Sequence, residues 1–268
     1  MRRRFQLVAL AALVGLSRFA PAATLPFVPP LHAARFAVPI LCTEHLSGRT
    51  RARGTAIIVD PSGIILTAAH VVLENQVACT LTAMVPDDDW DRASRFYLFS
   101  VGRCASDALL DLAACRIQSG DNHNAPLLRA ASVRGPAPAP GTAVTITGFT
   151  GWGLFPTVVR GRLTPGQSYR RKDGCYCDFA VDAEVYEGMS GSPVETEQGR
   201  VIGLITTAGT GPFRGTSFGT SLEYAAPLMA RLGAKVGPNG GGGKSTAGSS
   251  TPHSDSQANP DAPLGMTK

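Results

Sequence analysis

Three fragments of this 268-residue chain hold residue types able to do nucleophilic chemistry. Thr67-Ala68-Ala69-His70-Val71-Val72 sets an imidazole after small residues at the C-terminal end of a predicted strand. Asp111-Leu112-Ala113 sets a carboxylate at the start of an apolar run, where an ionised group needs a partner. Gly188-Met189-Ser190-Gly191-Ser192-Pro193-Val194 flanks a hydroxyl with small residues. Each fragment alone reads as structure: a core histidine, a strand cap, a Gly/Ser turn. Together they are the parts of acyl transfer. A serine hydroxyl is a poor nucleophile near neutral pH and needs a base, and an imidazole, ordinarily of pKa about 6.5, suits. A buried carboxylate holds the imidazole tautomer and stabilises the imidazolium. Backbone N–H groups must face the oxyanion, and glycine beside the serine lets the chain turn them inward. Ser192 is a second candidate nucleophile. Asp107 is a rival acid that lacks the Leu-Ala strand signal after Asp111.

The elements that must position these groups are strands. Short β-branched runs alternate with turn residues and helical periodicity is nearly absent, which predicts an all-β barrel or sandwich. Strands are expected at 36–43, 55–59, 64–67, 77–85, 97–104 and 112–117, then at 143–148, 157–163, 177–181, 192–195, 201–206 and 217–222. Six and six suggest two similar sheets. The turn Asp60-Pro61-Ser62-Gly63 joins a strand pair just before His70. Residues 119–140, polar and then Pro/Ala-rich, read as a linker between a first barrel (23–118) and a second (141–236). Residues 225–235 carry the one helical pattern, with Leu228, Met229 and Leu232 on one face. Residues 237–268, rich in Gly, Ser, Thr and Pro, cannot bury enough apolar surface to fold and read as a disordered tail.

The start of the chain reads as a secretory signal peptide over 1–22. Arg2, Arg3 and Arg4 precede a mostly apolar stretch, and Ala20-Pro21-Ala22 supplies small residues two apart. The apolar stretch is too short for a spanning helix, so no stable membrane insertion is expected after its removal. Taking away the charges of Arg2, Arg3, Arg4 and Arg18 lowers the formal net charge from +5 to +1. The basic balance therefore does not argue for a nucleic-acid partner. The chain is expected in the periplasm or outside the cell, where its six cysteines can pair. Cys42 with Cys79 and Cys104 with Cys115 are the favoured pairs, which leaves Cys175 and Cys177 on one strand face. Cys175-Tyr176-Cys177 is one residue too tight for the usual zinc knuckle. Asp87, Asp88, Asp89 and Asp91 read as an exposed charge run rather than a Ca²⁺ loop. No metal or cofactor is expected.

Over 36–233 the chain resembles the trypsin-like serine peptidases of the chymotrypsin fold, and its segments are similar to the HtrA (Deg) and glutamyl-endopeptidase-like groups. The resemblance implies two antiparallel six-stranded barrels, a short C-terminal helix and a cleft between the barrels that hydrolyses proteins or peptides through an acyl-enzyme. It implies His70 as general base, Asp111 as its orienting acid and Ser190 as nucleophile, with the N–H groups of Gly188 and Ser190 as oxyanion hole. The family places its nucleophile between Gly-x and Gly, which fits Ser190 and not Ser192. Thr206, Thr207 and Ala208 would wall the substrate pocket, and Glu184, if it points inward, would form a floor favouring Lys or Arg. Met189 stands where digestive members carry the Asp of their activation switch. HtrA proteins carry a peptide-binding PDZ domain after the peptidase, where this chain has the predicted tail. A catalytically inactive binding module on the same scaffold is the alternative reading. An esterase or lipase would want the order Ser, acid, His.

Overall fold

The computed structural model describes residues 35–74, 78–119, 128–131, 138–151, 153, 155–165, 168–171 and 174–234. The expected signal peptide and tail, and most of the expected linker, lie outside these residues. All described residues belong to one compact unit.

Six strands, β1 (Ala37–Glu44), β2 (Thr50–Asp60), β3 (Ile64–Ala68), β4 (Cys79–Pro86), β5 (Phe96–Asp107) and β6 (Leu112–Ser119), close into a barrel in the order β1-β2-β3-β6-β5-β4. Every neighbouring pair is antiparallel. The barrel closes because its apolar residues step by two, as the pleat demands. Val38, Ile40 and Cys42 on β1, Leu81, Ala83 and Val85 on β4, and Ala113, Cys115 and Ile117 on β6 all enter one core. The β2–β3 turn forms as its sequence suggests: Asp60 Oδ1 accepts the Ser62 N–H at 2.7 Å and Gly63 adopts φ 91°. Two disulfides staple the barrel. Cys104 lies directly opposite Cys115 across β5 and β6, with Cα atoms 4.0 Å apart, and Cys42 joins Cys79 across β1 and β4 at 5.2 Å. These are the two pairs expected.

The second half forms β7 (Ala143–Phe149), β8 (Pro156–Arg162), β9 (Tyr169–Arg170), β10 (Tyr176–Cys177), β11 (Phe179–Val181), β12 (Pro193–Thr196), β13 (Val201–Ala208) and β14 (Ser217–Ser221). Six of them make one antiparallel sheet in the order β11-β14-β13-β12-β7-β8. This is the expected second six-stranded, barrel-like sheet: its outer strands meet at the bridge of Leu163 to Val181, where the Thr164 N–H donates to Ala180 O and the Asp182 N–H to Arg162 O. Strand β11 is only three residues long, too short to pair along β8. The expected strand 177–181 is divided, since Cys177 belongs to a separate hairpin of β9 and β10.

Two short helices complete the unit, α1 (Ala69–Leu73) and α2 (Ala225–Ala230). Helix α2 is shorter than the expected 225–235, because Gly233 at φ 77° turns the chain and its N–H bonds back to Ala230 O. The face containing Leu228 and Leu232 packs with Ile57, Leu66 and Leu112 of the barrel and Leu204 of the second sheet. Each such side chain, fully buried, contributes roughly 1.5–3 kcal/mol. One apolar cluster thus joins the two sheets and fixes the cleft between them.

Candidate active site

His70 stands on α1 rather than at the end of a strand as expected: β3 stops at Ala68, and the burial of Ala69, Val71 and Val72 rolls the next residues into a helical turn. That turn leaves the His70 side chain about 25% exposed. Asp111 ends the turn before β6 with its side chain only 3% exposed, and at φ 49° it is the one non-glycine residue with positive φ among those described. A left-handed residue is costly unless its surroundings hold it. Here the Asp111 carbonyl accepts the Ala69 N–H at 3.0 Å and its Oδ1 accepts the His70 N–H at 2.9 Å. Its Oδ2 receives His70 Nδ1 at 2.7 Å. A carboxylate only accepts, so Nδ1 carries the proton and Nε2 is left with its lone pair. Asp107 is occupied elsewhere: its Oδ1 accepts the N–H groups of Leu109 and Leu110 and caps the turn that leads to Asp111.

The segment around Ser190 is shaped by two glycines. Gly188 has φ 92°, and a Cβ there would lie 2.6 Å from Gly151 N and Phe149 O. Gly191 has φ 85°, and a Cβ there would lie 2.0 Å from Thr55 O. No larger residue fits either position. Between them, Met189 is fully buried in the core of the second sheet, so apolar packing anchors the loop where an ion pair is absent. The Met189 N–H donates to Tyr186 O and the Gly191 N–H to Ile205 O. The N–H groups of Gly188 and Ser190 donate to no acceptor among the described residues. The Glu187 carbonyl points away from them, accepting the Gly151 N–H at 2.9 Å. Two backbone donors, on either side of Met189, are thereby left open among the described residues. Ser192, by contrast, is fully buried, its Oγ packed against Gly148.

Thr55 on β2 ties this loop to the barrel, a role sequence reasoning missed. Its N–H donates to Ser190 O at 2.8 Å and its Oγ1 to Gly188 O at 3.1 Å, while Oγ1 accepts the Phe149 N–H at 2.9 Å. Its side chain is wholly buried. The Gly54-Thr55 pair had no motif to mark it, since the bonds span 94 to 135 residues of chain.

His70 and Ser190 line the same cavity, of about 220 Å³. Among the described residues no hydrogen bond joins them. Thr206, Thr207 and Ala208 line the cavity with them. Strand β13 pairs with β12 only as far as Leu204, so residues 206–208 have an edge with no strand partner on the β12 side among the described residues. Glu184, expected at the pocket floor if it pointed inward, is exposed and does not line this cavity. The alternation along the segment decides this, because Ala183 and Val185 turn into the second core and carry Glu184 outward. Val185, Tyr186, Glu187 and Ile205 line the cavity instead, together with Arg171. Arg171 NH1 lies 2.8 Å from Asp111 Oδ2. Within the run Tyr169-Arg170-Arg171-Lys172 it had nothing to set it apart from an ordinary surface charge.

Elsewhere, the acids after β4 are engaged in local pairs: Asp87 accepts from Ser94, and Asp88 and Asp89 face Arg129. No group of three or more His, Cys, Asp or Glu among the described residues is placed to hold a metal. Cys175 and Cys177 are thiols. Burial pushes the Cys177 thiol above its ordinary pKa, against a hydrogen bond with Thr206 at 3.2 Å. No helix among the described residues is long and apolar enough to cross a membrane.

A family model described as the trypsin-like peptidase domain matches residues 54–204, a span that contains His70, Asp111 and Ser190. Among solved structures, the active form of the Rv3671c protease from M. tuberculosis is similar, with TM-score 0.57 and 20% identity over 75% of this chain and 82% of that one. The HtrA-type protease AlgW with a tripeptide has TM-score 0.57 and 21% identity over 75% of this chain and 61% of that one. An inactive form of Rv3671c protease has TM-score 0.54 at 20% identity, covering 75% and 91%. At such identities the likeness is one of fold. None of the curated proteins matches the sequence.

Proposed function

Since this chain belongs to the trypsin-like peptidase domain family, we propose that it is an exported serine endopeptidase that cleaves polypeptides through an acyl-enzyme, with Ser190 as nucleophile, His70 as general base and Asp111 as orienting acid. The observation that carries the reading is that His70 and Ser190 line one cavity, with Asp111 bonded to Nδ1 of His70 and with the N–H groups of Gly188 and Ser190 donating to no acceptor among the described residues. His70 takes the Ser190 proton as Oγ attacks the scissile carbonyl, and the two N–H groups receive the oxyanion. The imidazolium then returns its proton to the leaving amine, and water repeats the cycle on the acyl-enzyme. An extended substrate adds a strand along the open edge of residues 206–208. With Glu184 turned outward, the apolar walls Val185 and Ile205 suit small or medium uncharged side chains, and the charged lining residues Glu187 and Arg171 are of opposite sign. Export is supported by the basic and apolar start of the chain and by the two disulfides, which persist in oxidising compartments.

The missing His70–Ser190 hydrogen bond is the one observation that favours a non-catalytic binding module. Such bonds are often long in unliganded sites and tighten around substrate. Cleavage profiling on a peptide library separates the readings. The enzyme cleaves, is labelled at Ser190 by a phosphonate and loses turnover by at least about 10³-fold as Ser190→Ala. Turnover that survives Ser190→Ala, or a parent chain that binds peptides without cutting them, refutes the proposal; a profile dominated by Lys or Arg before the cut refutes the pocket assignment.

A further inference from the structure

The Asp111 carboxylate is held from α1 and from the β9–β10 hairpin. Among the described residues it accepts three hydrogen bonds, and two come from His70 itself, to Oδ1 at 2.9 Å and to Oδ2 at 2.7 Å. The third comes from Arg171, whose NH1 reaches the same Oδ2 at 2.8 Å. Thr206, on the strand beside the cavity, does not serve: its hydroxyl is turned to Cys177 Sγ at 3.2 Å and Phe218 O at 3.4 Å. Among the described residues the guanidinium is therefore the only donor to this carboxylate that comes from outside His70. The arrangement matters because the backbone N–H of His70 fixes Oδ1, whereas Oδ2, the oxygen that meets the imidazole, is held by a side chain from another element. It matters also because the carboxylate is only 3% exposed and the guanidinium gives it a partner of opposite charge.

The hairpin that carries Arg171 is built against the Asp111 turn. The Tyr176 N–H on β10 donates to Leu109 O at 2.6 Å, and Cys175 Sγ donates to Ala108 O at 3.2 Å. The Arg171 N–H closes the hairpin by donating to Cys175 O at 2.8 Å. At its other side Tyr169 on β9 stacks on Phe218 with ring centroids 4.4 Å apart. The side chain of Arg171 is 23% exposed and forms part of the cavity wall. Its anchorage thus comes from two strands of backbone and a ring stack, which is what a fixed reference point for a carboxylate requires.

We propose that Arg171 is a positioning residue: from the β9–β10 hairpin it fixes the Asp111 carboxylate through Oδ2, and with it the direction in which His70 presents Nε2 to Ser190. This rests on the triad reading of the preceding subsection. The test compares steady-state cleavage by Arg171→Met and Arg171→Lys with the parent, each shown folded by circular dichroism. The Met variant keeps the length of the stem and loses the donor. Its kcat falls about 10- to 100-fold while KM stays within about twofold, the size expected for a misaimed catalytic group. The Lys variant, which keeps a cationic donor, recovers to within about fivefold of the parent kcat. If the Met variant does not fold, Arg171→Gln replaces it and loses more kcat than the Lys variant. A Met variant with kcat within about twofold of the parent, a defect confined to KM, or a Lys variant no better than the neutral ones overturns the inference. Ser190→Ala is measured alongside. Full loss there with parental kcat in Arg171→Met sinks this inference alone, whereas turnover in Ser190→Ala sinks the triad reading beneath it.

Discussion

Thr55 concentrates more inter-sheet bonding than any residue named by the sequence. Its single hydroxyl serves both the Gly188 carbonyl and the Phe149 N–H in a fully buried setting. Thr55→Val preserves the shape of the side chain and strands both partners, each costing about 1–3 kcal/mol. Thermal denaturation of the variant is expected to show a clear loss of stability. Its kcat is expected to fall by about tenfold or more, since the Gly188 peptide loses the tether that aims its N–H. A variant as stable and as active as the parent would remove Thr55 from the account. The same scale explains which candidates the sequence could and could not rank. Ser190 between two glycines and Asp111 before an apolar strand carry local signals. Thr55 and Arg171 act through partners 94 and 60 residues away, and no spacing reports them.

Among the elements, the barrel strands are stapled at two places, and the staple between β1 and β4 closes the larger loop, Cys42 and Cys79 being 37 positions apart. In the chain-entropy account a crosslink of that span stabilises by about 3–4 kcal/mol. Replacing both cysteines by alanine should therefore lower the melting temperature by roughly 6–12 °C for a domain of this size. A change under about 2 °C would mean that the strand ladder alone holds β1 to β4. The strands themselves were legible because their apolar residues step by two and Gly, Pro and Asp punctuate them. The short β9–β10 hairpin was not. Its strands are two residues each, too short for any period to show, and they exist because β10 bonds to Leu109 and Tyr169 stacks on Phe218. Helix α1 escaped for the same reason, since five residues following a strand show no turn-by-turn pattern.

At the scale of the molecule, stability should respond to pH through a half-buried acid outside the proposed triad, Asp178. Burial raises the pKa of Asp178 above its ordinary 3.8, with the nearby Glu223 adding to the shift, although the carboxylate accepts the Ser221 N–H at 2.8 Å. Between its unfolded and folded pKa the native state holds more protons than the unfolded one, so this group makes the fold less stable as pH rises through that window. Above the window the penalty is fully present, and below the unfolded pKa it is gone. Asp178→Asn keeps the acceptor and removes the charge. The variant should melt higher than the parent at neutral pH, and the advantage should vanish as pH falls below about 4; an advantage independent of pH would assign it to packing instead. What the order of residues determined by itself was local: strand periods, turn glycines, the cysteine pairs that bracket adjacent strands, and the His-Asp-Ser fragments, all written within a few neighbouring positions. What only the folded chain decided was convergence: that Glu184 faces water while Val185 lines the pocket, that Arg171 reaches Asp111, and that Thr55 holds the Ser190 loop. Those outcomes depend on how two sheets pack across one apolar cluster, and contacts made through space leave no period in the sequence from which to read them.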